Sequence, residues 1–79
     1  GIYRIEYFHV ASSEWRTRDI SISGSIARDL NSTLTGTVAY KAIDGFELTI
    51  DGGTNQLMVE LQGHYISMAP QRQMIACKL

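Results

Sequence analysis

Two alternating stretches dominate the hydropathy pattern of the chain, Phe46-Glu47-Leu48-Thr49-Ile50 and Leu57-Met58-Val59-Glu60-Leu61. A period of two sends Phe46, Leu48 and Ile50 to one face of a strand, and Glu47 and Thr49 to the other. In the second stretch Leu57, Val59 and Leu61 face inward while Met58 and Glu60 face water. The turn-rich Asp51-Gly52-Gly53-Thr54-Asn55 between them closes a hairpin with one buried and one wet face. Upstream, Ile2 to Val10 reads as a strand with Tyr3, Ile5 and Tyr7 on one face and Arg4 and Glu6 on the other. Phe8 and Val10 make its second face apolar as well. Ala11-Ser12-Ser13-Glu14 is a turn signal, and Trp15 to Ile22 is a second strand, whose Ile20 and Ile22 share a face with the stems of Arg16 and Arg18.

The period then changes. Ile26, Leu30 and Leu34 recur every four residues, with Arg28, Asp29, Asn31 and Ser32 opposite them, which predicts an amphipathic helix of about three turns. Ser23 or Ser25 would cap its first amides, and Gly36 would end it in a left-handed conformation. Because Ser, Thr and Asn are poor helix formers, a loop followed by a strand is the competing reading. Thr37 to Ile43 suits a strand, and Asp44-Gly45 turns the chain into Phe46. After the central hairpin Gly63 breaks the chain, His64 to Met68 reads as a strand that Pro70 stops, and Ile75, Cys77 and Leu79 alternate as a last one. The expected fold is α+β, one compact domain over residues 1–79. Five to seven short antiparallel strands in the order ββαβββ, with or without a further C-terminal strand, carry one amphipathic helix on one face. Trp15 is expected near a sheet edge or an interface, with its ring buried and its N–H satisfied.

A chain of 79 residues has room for one core, and at this size folding buries only roughly 60% of the unfolded surface. Cys77 is the single cysteine, so no disulfide can form within the chain, and a lone thiol fits a reducing compartment. Self-association is the remaining way to gain burial, and a homodimer is expected slightly above a monomer. No apolar run approaches the ~18 residues that a membrane span needs, and the first residues lack the pattern of a signal peptide. The formal net charge of -1 argues against bulk electrostatic binding to nucleic acid or anionic lipid. Together these features point to the cytoplasm.

Candidate chemistry is sparse. His9 and His64 are the two histidines, and neither stands in a nucleophile-elbow or zinc-protease pattern. Gly52-Gly53 lacks the Lys-Ser/Thr that completes a phosphate loop. His9, His64 and Cys77 each sit alone rather than at paired ligand spacing. The expectation is therefore a non-enzymatic protein with no cofactor and no metal. In Trp15-Arg16-Thr17-Arg18 the two arginines point to one face of a strand and could straddle phosphates, with Trp15 turned away from them. Glu14 and Asp19 bracket the motif, and pairing with such carboxylates is the competing reading. From Ala42 to Gln71 there is no Lys or Arg, while Asp44, Glu47, Asp51 and Glu60 all fall inside that window. Alternation would place Glu47 and Glu60 on the wet face of the central hairpin, with Asp44 and Asp51 at its turns. An acidic face free of lysine could dock on a basic surface, or could simply keep the sheet soluble.

Short, self-contained, mixed in α and β and without a catalytic constellation, the chain resembles in character the small inhibitor proteins of phages and mobile elements, anti-CRISPR proteins among them. The resemblance is one of style and rests on no motif. The leading expectation is a protein-binding module, in its sharpest form an inhibitor that docks Asp44, Glu47, Asp51 and Glu60 on a basic, nucleic-acid-binding surface of a target. The alternatives are a small nucleic-acid-binding domain using Arg16 and Arg18, and a structural subunit that self-assembles through the first strand, most simply as a twofold dimer.

Overall fold

Alternation, carried through almost the whole chain, builds a closed barrel. The computed structural model describes residues 1–41, 45–67 and 73–79. Its strands are β1 (Ile2–His9), β2 (Glu14–Ser23), β3 (Ile26–Asp29), β4 (Thr35–Lys41), β5 (Gly45–Ile50), β6 (Gly53–Val59), β7 (His64–Ser67) and β8 (Met74–Lys78). Each pairs antiparallel with the next, and β8 returns to β1 with Tyr3 opposite Lys78 and Ile5 opposite Ala76. The sheet therefore has no free edge.

Inward positions make the core. Ile5 and Tyr7 of β1, Ile20 and Ile22 of β2, Val38 of β4, Phe46, Leu48 and Ile50 of β5, Leu57 of β6 and Met74 and Ala76 of β8 are all buried. The outer positions of β2 to β6 are mostly polar, among them Thr17, Asp19, Arg28, Thr37, Glu47, Thr49 and Gln56. An apolar lumen inside a largely polar wall reverses the arrangement of barrels that face lipid. Among the described residues no helix is long and apolar enough to cross a membrane.

This architecture corrects the α+β expectation. Among the described residues there is no α-helix, only short 3-10 turns at Val10–Ser12 and Leu61–Gly63. The segment expected to be helical is β3, a loop and the start of β4. Its fourfold spacing has a local cause. Ile26 faces outward from β3, Leu30 lies exposed in the loop, and Leu34 packs partly against the core. Within β3 the period is two, with Ala27 and Asp29 buried between exposed Ile26 and Arg28. Asp29 then organises the loop by accepting from the Asn31 amide at 2.9 Å and the Ser32 hydroxyl at 3.0 Å, the local bonding that makes Asp, Asn and Ser poor helix formers. Ser23 and Ser25 flank a tight β2–β3 turn around Gly24 at φ 58° rather than capping a helix. Gly36, expected as a helix terminator, lies inside β4 opposite Ala27. A Cβ there would stand 2.3 Å from the Thr49 carbonyl oxygen, so only glycine permits this close approach of β4 to β5.

The central hairpin is tighter than expected. Ile50 pairs with Gly53, which leaves Asp51 and Gly52 as a two-residue turn with φ of 52° and 78°. Positive φ at both positions is the type I′ signature that Asp-Gly favours. β6 accordingly starts at Gly53 and buries Asn55 beside Leu57; Val59 keeps their inward phase but is partly exposed at the barrel mouth, and Leu61, beyond the strand, is exposed rather than inward. The chain ends sort the barrel into two mouths. One holds the β1–β2, β3–β4 and β5–β6 turns and is polar inside. The other holds the β2–β3 turn and the ends of β4, β6 and β8, and is aromatic.

Candidate functional site

Arg16 and Arg18 lie on inward positions of β2, in line with Ile20 and Ile22. At the polar mouth no apolar residue continues that line, so two guanidiniums fill the end of the lumen. Arg18 donates from Nε to the Tyr7 hydroxyl at 2.7 Å and from Nη1 to Asp29 Oδ2 at 2.7 Å. Arg16 donates from Nη1 to Asp51 Oδ2 at 2.9 Å, from Nε to Glu14 Oε1 at 2.8 Å and from Nη2 to Ser12 Oγ at 3.3 Å. The Tyr7 hydroxyl donates to Asp51 Oδ2, and Arg18 Nη2 approaches the same carboxylate at 3.7 Å. Five strand ends are thereby joined by one charged network.

Burial by itself would raise the pKa of Asp51, but hydrogen bonds from Tyr7 and Arg16 and the charges of both arginines hold it below the usual carboxylate range. For Asp29 burial again opposes ionisation, and the Asn31 amide, Arg18 and Ser32 outweigh it. Tyr7 moves the other way, raised first by burial and then by its bond to Asp51. Every charge here has an opposite partner within the lumen. The arrangement locks one end of the barrel and leaves neither arginine free to straddle a phosphate.

The acidic set does not converge. Asp51 is consumed by that network. Glu47 faces outward from β5, 3.9 Å from Lys41, and its cross-strand neighbour is Gln56. Glu60 follows the end of β6, with its backbone N–H bonded to the His64 carbonyl at 2.6 Å. Asp44 lies outside the described residues. His9 bonds through Nδ1 to the Ser12 hydroxyl at 2.7 Å, and His64 and Cys77 are cross-strand neighbours on the outer wall. Among the described residues no cluster of three or more His, Cys, Asp or Glu side chains could hold a metal.

The feature that sequence reasoning missed is on the outside. Met58 of β6 pairs with Ile66 of β7, and Ile66 pairs with Ile75 of β8, so three apolar side chains stand in a row across the wall. They are 40%, 39% and 43% exposed. Trp15 lies 60% exposed beside them, its ring braced edge-on by Phe8 at 5.7 Å. Between Trp15, Ile66, Gln73 and Ile75 runs a groove of about 220 Å³. Trp15 is thus neither buried nor at a sheet edge. Alternation alone marked Met58 as outward, but aligning it with Ile66 and Ile75 required the register of three strands.

No family model matches this chain, and neither the curated proteins nor the solved structures include one that matches it.

Proposed function

We propose that this protein is a non-enzymatic protein-binding module that meets its partner with the outer wall formed by Met58, Ile66, Ile75 and Trp15. The observation that carries the reading is the contiguous apolar row, where the other apolar residues of the outer wall, such as Ile2 and Ile26, lie on other strands among mostly polar positions. Contiguous exposed apolar surface is costly to maintain and marks interaction sites, and tryptophan is among the residues that dominate interface energies. A closed barrel has no strand edge to lend, so recognition falls to a face rather than to strand addition. Glu6 pairs with Ile75 and puts a carboxylate at the margin of the row. An apolar centre with a carboxylate at its margin suits a partner whose contact surface is apolar in the middle and carries a basic group beside it. The lone thiol of Cys77 accords with a cytoplasmic setting.

A photo-crosslinking residue at Ile66, compared with one at Thr49 on the outer face of β5, two strands away, tests this in extracts of the native host. A discrete heterologous adduct from position 66 and none from position 49 is the expected result. Equal adducts from both positions, or none from either, would sink the reading. An adduct at twice the mass of the chain would replace it with self-association.

A further inference from the structure

The second mouth of the barrel is built from rings. Tyr3, Tyr40, Phe46 and Tyr65 come from four different strands and converge on Phe46, whose centroid lies 5.9 Å from Tyr3, 6.4 Å from Tyr40 and 4.9 Å from Tyr65. Tyr3 and Tyr65 also meet edge to face at 5.8 Å. The rings are tilted 51° to 70° from one another, so they cannot stack flush. They leave a recess of about 260 Å³ walled by the four rings and Val59, with Lys41 at its rim. Tyr40 continues the inward line of Val38 yet is 65% exposed. Among the described residues the lumen is thus open at this end, whereas the guanidinium network closes the other.

Two features select an occupant. The walls offer ring faces and edges, which hold a flat aromatic group in edge-to-face or offset contact. The volume lies just below the roughly 300–1,000 Å³ of pockets for drug-sized ligands, which suits one ring or a fused pair. The charge at the rim is the second feature. Lys41 Nζ is 3.9 Å from Glu47 with its side chain 53% exposed, so its ammonium is not held in a short hydrogen bond to that carboxylate. Lys78, which shares the inward phase of Met74 and Ala76, stands directly across the ladder from Tyr3. We infer that this mouth binds a planar aromatic carboxylate, its ring held among Tyr3, Tyr40, Phe46 and Tyr65 and its carboxylate directed to Lys41. The inference is independent of the outer wall.

Amide NMR titrations of the full chain with indole-3-carboxylate, uncharged indole and benzyltrimethylammonium test it. Saturable shifts confined to the aromatic mouth are expected, with indole-3-carboxylate binding tightest. Lys41→Gln should raise the Kd of the carboxylate about threefold to fivefold, as an exposed charge pair warrants, and leave indole unchanged. Tyr40→Ala should weaken both. Both side chains are exposed, and an unchanged wild-type spectrum in the free variants confirms that the fold is kept. The inference is overturned by non-saturating shifts, by shifts centred on the Trp15 groove, by preference for the ammonium, or by a carboxylate affinity indifferent to Lys41→Gln.

Discussion

Replacing Asp51 by Asn isolates the charge at the centre of the polar mouth. Asp51 sits at φ 52° in the β5–β6 turn, a left-handed conformation that Asn tolerates about as well as Asp. The substitution therefore leaves the turn intact and removes the anion that accepts from Tyr7 and Arg16 and faces Arg18 at 3.7 Å. Glu14 and Asp29 still neutralise the two arginines, so the loss is that of charge-assisted bonds at a site 16% exposed. Such bonds contribute about 1.5–3 kcal/mol each when buried, and sharing with the remaining carboxylates brings the expected loss to about 2 kcal/mol. For a domain of this size that lowers Tm by roughly 8–16 °C. The sign of the pH dependence follows from the depressed pKa of Asp51. Its stabilisation is complete above the unfolded-state value of about 3.9 and is lost as pH falls through the lower folded-state value. Urea denaturation followed by circular dichroism, at neutral pH and at steps below about pH 4, should show the gap between wild type and Asp51→Asn closing in acid. A gap under about 0.5 kcal/mol at neutral pH, within the range of ordinary surface changes, would refute this account of the network. So would a gap that persists undiminished into acid.

Three further outcomes can be checked by the same denaturation measurement. Gly36→Ala puts a methyl group 2.3 Å from the Thr49 carbonyl oxygen, so it should cost about 3 kcal/mol or abolish folding. Leu57→Ala, at a fully buried position, should lose about 2–5 kcal/mol, whereas Leu61→Ala, 80% exposed, should stay within about 0.5 kcal/mol of wild type. Tyr7→Phe keeps the buried ring and deletes the hydroxyl shared by Asp51 and Arg18, for a loss of about 1–2 kcal/mol. Combined with Asp51→Asn, it should fall short of additivity by at least about 0.5 kcal/mol.

What could be read from sequence was local. The alternation of Phe46 to Ile50 and the Asp-Gly turn after it gave a strand and a hairpin, because side-chain period and turn geometry are properties of neighbouring residues. Ile26, Leu30 and Leu34 misled because an outward strand residue, an exposed loop residue and a partly buried one happened to fall four apart. The spacing carried no information about which side each one faced. Closure was invisible for a different reason. Pairing β1 with β8 depends on accumulated twist and strand count, and no residue within either strand encodes it. The charged groups show the same limit. Glu14 does pair with Arg16, as its place in the sequence suggested, but Asp19 pairs with Arg4. Of the partners of Arg18, Asp29 lies on the paired strand β3 and Asp51 arrives from the distant β5–β6 turn. The dispersal of Glu47, Asp51 and Glu60 likewise followed from where strands end, which alternation does not reveal.

The seam between β1 and β8 also governs how the barrel forms. Every other pairing in the ladder joins strands adjacent in sequence, so each can zip from its own turn. The seam alone joins residues such as Tyr3 and Lys78 across nearly the whole chain, and closing so long a loop slows folding more than any local hairpin does. Until β8 arrives, β1 offers one unpaired row of backbone groups, and β8 offers another once β7 has paired with it. Two chains caught at that stage could complete each other's cylinders, each lending its β8 to the other's β1. Such exchange would reproduce every native register while joining two molecules, and dilution during refolding is what would suppress it.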